Sequence, residues 1–384
     1  MTATLALLMP CLNEARTLGV CIQRAFQLIE TLGLSGEVIV ADNGSTDGSQ
    51  AIAEAAGARV VPVATRGYGA ALMAGIAAAR ARYVIMADAD GTYDFMDGAA
   101  MLARLQAGAD MVVGNRFKGG IAKGAMPLLH QYLGNPVLSW LGRLFFGLKI
   151  GDFHCGLRGF DREKILALNL RTTGMEFASE MIVRAALSQL IIDEVPVKLL
   201  PPHPARQSHL RTWRDGWRHL RFLLLYSPRW LYLYPGLALV VLGGLLSALI
   251  LPGPFMIAEG VGLDLHSMLV ATLSIMVGVQ ALSFGMIARA SAVASGILPP
   301  HPSLNRMLDL LSTERLLLVA AAMLCVGFGG VLWCAHEWRM ANFGALNYSH
   351  IMRILLLAAT AIVTGIQLGF TAFMLGLVQI KHQG

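Results

Sequence analysis

The sequence predicts two unlike parts: an α/β domain built on a Rossmann-like, mainly parallel sheet, then an all-α membrane domain of four transmembrane helices. Three observations carry this. Short apolar runs alternate with helix-patterned stretches through the first half of the chain. Four long uncharged runs occupy the second half. Charge follows the same division: residues 1–230 hold 24 of the 30 Lys and Arg and 19 of the 24 Asp and Glu. The averages over 384 residues, 55% hydrophobic and 14% charged with mean hydropathy +0.59, blend the two parts. A soluble domain carries about 25% charged residues, so an ordinary soluble protein is excluded. Disorder, collagen and a nucleic-acid-binding domain fit no better.

The elements of the first part follow from the pattern. Leu5–Met9, Val38–Ala41, Arg59–Val63, Tyr83–Ala87 and Met111–Val113 are short runs rich in Val, Ile and Leu, which suit strands. Ala15–Leu32, Asp47–Ala56, Tyr68–Ala79 and Phe95–Ala107 read as the helices between them. Such alternation implies parallel strands joined by crossover helices. Thr2–Leu12 lacks a basic n-region and runs into Asn13-Glu14, so it reads as a buried strand and not a signal peptide.

The net charge of +6 is local, since six arginines and one aspartate lie between Arg206 and Arg229. Within that band Leu210–Leu225 reads as an amphipathic helix. At about 100° per residue, Trp213, Trp217, Leu220 and Leu224 share one face, and Arg211, Arg214, Arg218 and Arg221 a neighbouring one. Arginine beside a greasy segment suits anionic lipid heads better than nucleic acid. Met126–Gly147 is unusually apolar for the first part and is expected to be a second interfacial helix or helix pair. The expected spans are Tyr232–Leu251, Ser267–Ala288, Leu316–Ala335 and Ile354–Ile380, each near the length a bilayer requires. The basic band and the Arg289–Arg315 loop then lie in the cytoplasm, with both termini, by the positive-inside rule. Gly365 and Gly369 form a candidate helix-packing face. The expected domains are 1–205, a juxtamembrane helix at 206–230, and 231–384. The five cysteines have neither metal-like nor disulfide-like spacing, so reduced thiols are expected.

Ligands of parallel sheets bind at the carboxyl ends of the strands. Polar loops stand there after four strands: Pro10-Cys11-Leu12-Asn13-Glu14, Asp42 to Ser49, Asp88-Ala89-Asp90-Gly91-Thr92-Tyr93-Asp94, and Gly114-Asn115-Arg116-Phe117. Two carboxylates two residues apart suit Mg²⁺ or Mn²⁺, whose shell phosphate oxygens and water complete. Neither a P-loop nor a Gly-x-Gly-x-x-Gly after the first strand is present, which disfavours nucleotide hydrolases of that class and dinucleotide dehydrogenases.

These motifs resemble the inverting GT-A glycosyltransferases of family 2, with Asp88-Ala89-Asp90 as their D-x-D motif. The branch most similar is the polyprenyl-phosphate glycosyltransferases, of the dolichyl-phosphate mannose synthase kind. The resemblance implies a nucleotide-sugar donor (UDP- or GDP-linked), a polyprenyl phosphate acceptor (undecaprenyl or dolichyl) carried in the inner membrane, and a divalent metal, Mg²⁺ or Mn²⁺. It implies that Pro10, Asn13, Glu14 and Asp42 line the nucleotide pocket, and that Asp88 and Asp90 hold the metal and donor diphosphate. Many relatives carry Gln where this chain has Thr92. Arg116 matches the Gly-Asn-Arg pattern, and Asp152 and Arg158 match the segment near the reacting phosphate. Arg116 and Arg158, with Arg206 and Ser208, are thereby implied in acceptor-phosphate binding. Asp152 is implied as a catalytic residue, and Glu176 and Glu180 as further active-site acids. A processive polysaccharide synthase usually carries Gln-x-x-Arg-Trp, which is missing here. A transporter would carry charges inside its spans. Oligomeric state, including a homo-oligomer, stays open.

Overall fold

The computed structural model describes residues 3–202, 212–299 and 312–380. It divides into two compact units, Met1–Leu223 and Leu224–Gly384. The division falls inside the helix Thr212–Leu225. Arg206 and Ser208 lie outside the described residues.

The first unit is a seven-stranded sheet covered by helices. Its strands are β1 (Leu5–Cys11), β2 (Gly36–Asp42), β3 (Arg59–Pro62), β4 (Tyr83–Met86), β5 (Met111–Asn115), β6 (Arg158–Asp161) and β7 (Ile192–Pro196), in the order β3-β2-β1-β4-β6-β5-β7. The five expected strands are all present. β1 carries the core, with Leu5 to Met9 fully buried, which explains why it reads as an unbroken apolar run. Helices α1 (Leu18–Thr31), α2 (Ser49–Ala55), α3 (Tyr68–Ala78) and α4 (Gly98–Gln106) fill the crossovers, and a 3-10 turn, Phe95–Asp97, precedes α4.

Two strands escaped the sequence reading. β6 is only four residues, with a glycine inside it, and β7 is polar at Asp193 and Glu194. β6 runs antiparallel to both β4 and β5. Its first residue, Arg158, therefore starts at the edge where the other strands end, paired with Met86 and Val113. That reversal brings residues 151–158 to the loops that follow β4 and β5.

Further helices are α5 (Arg116–Gly119), α6 (Asn135–Phe146), α7 (Arg162–Ala167), α8 (Phe177–Leu187) and α9 (Thr212–Leu225). A π-turn, His130–Gly134, leads into α6. The Met126–Gly147 stretch is thus helical. Leu128, Tyr132, Leu133 and Trp140 are more than half exposed, so the apolar side of this stretch is not core packing. Trp213 and Trp217 of α9 are likewise exposed, at 81% and 59%.

The second unit has four helices long and apolar enough to cross a membrane, Arg229–Ile250, Leu265–Ala294, Thr313–Met340 and Tyr348–Val378. They are α10 (Tyr234–Ile250, entered through a π-turn at Arg229–Leu233), α11 (Leu265–Ala294), α12 (Thr313–Met340) and α13 (Tyr348–Ile380). The last three outrun the expected spans because flanking residues continue the same helix. Small residues mark the close crossings: a Cβ at Gly243 would lie 2.5 Å from the Ala271 carbonyl, and one at Gly327 2.7 Å from that of Ala358. Of the Gly365 and Gly369 pair, only Gly365 meets a neighbouring helix, at Ala320 and Leu324. Arg353 falls inside α13, where it is buried and paired with Asp264. A hairpin, β8 (Phe255–Ala258) and β9 (Val261–Leu263), joins α10 to α11.

Candidate active site

The strand order reverses between β1 and β4, which opens the crevice where open α/β sheets bind ligands. The β1–β4 pairing ends at Leu8 and Met86, so Pro10 lies beyond it and its missing N–H costs no ladder bond there. The loops after β1 and β2 are stitched together. Asn13, left-handed at φ 59°, accepts the Thr46 N–H at 2.8 Å, and its own N–H donates to Ser45 Oγ at 2.9 Å. The Glu14 N–H donates to Ser49 Oγ, and the Ala15 N–H to Asp47.

Asp42 is 1% exposed at the end of β2. It accepts the N–H groups of Gly44 and Ser45 at 3.1 Å and Gln50 Nε2 at 2.5 Å. Burial opposes ionisation, but bonds from Ser45, Gln50 and Gly44 outweigh it and hold the carboxyl below its usual range. The carboxylate is thus committed to its own turn. Asn43 ties down the next loop, donating to Thr65 O and accepting the Gly67 N–H.

Asp88 and Asp90 sit just past β4. The Thr17 hydroxyl fastens the loop by donating to Ala89 O at 2.8 Å. Asp90 is buried, and its Oδ1 accepts the N–H and hydroxyl of Thr92 at 2.9 and 2.6 Å. Thr92 therefore positions Asp90. Asp88 Oδ1 accepts the hydroxyl of Tyr68 at 2.9 Å. Burial and the nearby Asp88 charge push the Tyr68 phenol up, so Tyr68 stays a donor. A Cβ at Gly156 would lie 2.6 Å from Asp88 Oδ2, so only glycine lets the 152–158 segment come this close.

The same segment supplies a buried ion pair. Arg116 Nε and Nη2 donate to the two oxygens of Asp152 at 2.6 and 2.8 Å. The N–H groups of Arg116 and His154 add bonds at 3.2 Å. Asp152 is 0% exposed and Arg116 7%. Arg116 Nη1 reaches the Tyr93 hydroxyl at 3.5 Å, and that hydroxyl accepts the Gly156 N–H at 3.0 Å. Tyr93 and Gly156 thus join the ion pair to Asp88.

Two expected site residues are committed elsewhere. Arg158 is fully buried and donates to the carbonyls of Cys155, Ala178 and Phe153 at 2.9, 2.6 and 2.9 Å. Its guanidinium pins the segment to α8 and presents no exposed surface to an acceptor phosphate. Glu180 is also fully buried and accepts the N–H groups of Arg171 and Thr172 and the Thr172 hydroxyl. It anchors the loop whose Thr173 carbonyl accepts the Gly69 N–H at the start of α3. Gly67 is required there, because a Cβ would fall 2.1 Å from Thr173 O. Glu176 stands at the start of α8, with Oε2 buried and unpartnered.

Among the described residues no group of three or more His, Cys, Asp or Glu could hold a metal. The donor set at Asp88 and Asp90 is two hard carboxylates, each steadied by a hydroxyl donor. That set fits a Mg²⁺ or Mn²⁺ ion which takes its remaining ligands from phosphate and water.

A ligand-binding α/β edge with acidic loops, carried by a multi-pass membrane protein, is the class that fold and site define. Residues 6–167 match glycosyl transferase family 2, and residues 286–379 match the family 2 C-terminal transmembrane region. A low-salt glycan biosynthesis hexosyltransferase (Agl6) of Haloferax volcanii is 35% identical over 97% of this chain and 88% of its own. The dolichyl-phosphate hexose transferase of that organism is 31% identical over 50% of this chain and 81% of its own. An undecaprenyl-phosphate 4-deoxy-4-formamido-L-arabinose transferase of Salmonella paratyphi B is 24% identical over 73% and 86%. The chain belongs to glycosyltransferase family 2, in the branch with a C-terminal membrane region, and is a glycosyltransferase.

Proposed function

We propose that the protein transfers one sugar from a UDP- or GDP-sugar to a polyprenyl phosphate, by inversion, at the cytoplasmic face of the cell membrane. The observation that carries this is the union in one chain of the family 2 edge and four membrane helices, in a protein similar to relatives named for dolichyl- and undecaprenyl-phosphate. The arginine band between Arg206 and Arg229 supports the cytoplasmic side and a contact with anionic lipids.

The chemistry asks little of a base. A phosphomonoester has a second pKa of about 6, so its oxygen is already anionic near neutral pH. That oxygen attacks the anomeric carbon as the bond to the donor diphosphate breaks from the opposite face. Arg116 is the candidate contact to the acceptor phosphate, oriented by Asp152 and backed by Tyr93. Arg206 and Ser208 are proposed as its companions. Asp152 serves by holding Arg116, and Arg158 and Glu180 by holding the segments around it. Pro10, Asn13, Glu14 and the turn organised by Asp42 form the nucleotide side. Asp88 and Asp90 would hold Mg²⁺ or Mn²⁺, which supplies positive charge to the leaving diphosphate.

The test uses purified full-length protein in nanodiscs, Mg²⁺ or Mn²⁺, radiolabelled UDP- and GDP-sugars and undecaprenyl or dolichyl phosphate. The expected product is a lipid-phosphate monosaccharide, identified by mass. A polymer, or no lipid-linked product with any donor, overturns the proposal. Activity that survives Asp90→Ala unchanged removes the metal assignment.

A further inference from the structure

The first turn of α8 grips three separate pieces of the first unit with three consecutive residues. The Ala178 carbonyl accepts Arg158, and the Glu180 carboxylate holds residues 171 and 172. Between them, the Ser179 hydroxyl stands between two histidines.

Ser179 Oγ is 2.8 Å from His219 Nδ1 and 3.5 Å from His154 Nε2. A hydroxyl can donate to one ring and accept from the other. The rings also meet edge to face, with centroids 4.5 Å apart. Ser179 is fully buried. His154 Nδ1 is buried without a partner. Burial first, then the facing His219, Arg116, Arg158 and His130, hold the His154 ring well below its usual titration range, so it stays neutral. A neutral ring suits a hydroxyl contact and adds no charge beside Arg116.

His154 belongs to the segment that builds the ion pair. Its N–H donates to Asp152 Oδ1, and Asp152 clasps Arg116. A continuous line of contacts therefore runs from His219 on α9, through Ser179 and His154, to Asp152 and Arg116. On α9, His219 lies about 200° round the helix from Trp217 and about 240° from Trp213. The tryptophans are exposed, while His219 on the other side seats the helix on α8.

We propose that His219 is a positioning residue for sugar transfer. Through Ser179 and His154 it sets the Asp152–Arg116 pair, so the seating of α9 governs the geometry of the acceptor site. The inference rests on the reading of Arg116 as the acceptor contact. Nothing in the sequence marks His219, a lone histidine among arginines on an amphipathic helix.

The experiment compares His219→Asn with His219→Gln in the full-length protein in nanodiscs. An Asn amide reaches the place of Nδ1, the atom that meets Ser179, whereas a Gln amide reaches the place of Nε2. The expected result is near wild-type kcat for Asn. Gln should lose about tenfold in kcat, roughly 1.4 kcal/mol, with KM for the sugar nucleotide unchanged. Hydrogen exchange is read without substrate on the same proteins. The amides of Arg116 and His154, both bonded to Asp152, should exchange faster in Gln and not in Asn. Equal kcat and equal exchange in the two variants overturn the proposal. If the wild-type protein transfers no sugar, the functional reading fails, yet the exchange contrast still decides whether His219 sets the pair. His219→Ala, if it folds, should behave as Gln does, and Asn-like behaviour counts against the proposal.

Discussion

Replacing Asp152 with asparagine preserves the shape of the side chain and removes the charge that faces Arg116. In the native protein the carboxylate accepts four bonds, two from the guanidinium and one each from the N–H groups of Arg116 and His154. Both side chains are almost wholly buried, at 9% and 0% exposure, so solvent screens neither. The asparagine turns one acceptor into an NH₂ that points at a donor, and it leaves the guanidinium charge unmatched. Removing one partner of a buried pair costs about 3–5 kcal/mol. The cost should appear locally, because Asp152 ties the segment before β6 to the residue after β5. Hydrogen exchange of the β5 and β6 amides in the full-length protein measures it. At about 1.4 kcal/mol per factor of ten, exchange through local opening should speed up by roughly two to four orders of magnitude. Arg116→Met added to Asp152→Asn should recover much of the loss, since the double variant leaves no buried charge. Asp152→Asn costing less than about 1 kcal/mol, or no recovery in the double variant, would refute a desolvated pair.

Three further outcomes follow from the same contacts. Tyr68→Phe removes the hydroxyl donor to Asp88 without altering the core, and Mn²⁺ affinity measured by paramagnetic resonance should fall about 10–100-fold; an unchanged affinity would disconnect Tyr68 from the metal site. Glu180→Gln leaves a backbone donor at residues 171–172 poorly paired, and should cost about 1–3 kcal/mol in exchange protection at the start of α3; protection equal to wild type would sink this. Asp42 and Glu194 both have depressed carboxyl pKa values, from 3.8 and 4.5. For Glu194 burial opposes the shift, and bonds from Lys118, Gly151 and Asn115 outweigh it. A depressed folded pKa contributes stability above the unfolded value and loses it as pH falls through the folded value. The first unit should therefore lose stability below about pH 4.5, and Asp42→Asn should flatten that slope in an acid titration followed by fluorescence.

Much of this protein was legible in the sequence because the signals were local. Of the five strands between Leu5 and Asn115, β1, β4 and β5 are apolar runs buried almost throughout, and the spans are set by length and by the cost of charge in lipid. The D-x-D loop, the Asn13 loop and Arg116 were visible as polar residues directly after those strands. β6 and β7 were not, because a four-residue strand containing a glycine and an acidic edge strand carry no period that distinguishes them from loops.

What the tertiary structure decided was the use of each polar side chain. The family resemblance implies Arg158, Asp152 and Glu180 near the reaction, yet the sequence cannot tell an open donor from one already spent on a carbonyl. The antiparallel turn of β6 brings Arg158 in under α8, where three carbonyls consume it, and carries Gly156 against Asp88. Tyr68, Tyr93, Ser179 and His219 joined the site by the same route. Their partners lie 20, 23, 25 and 40 residues away. The local pattern of residues determined the strands, the spans and the acidic loops. The buried hydrogen bonds that select among the polar residues form only when distant segments close on one another, and the fold alone specifies them.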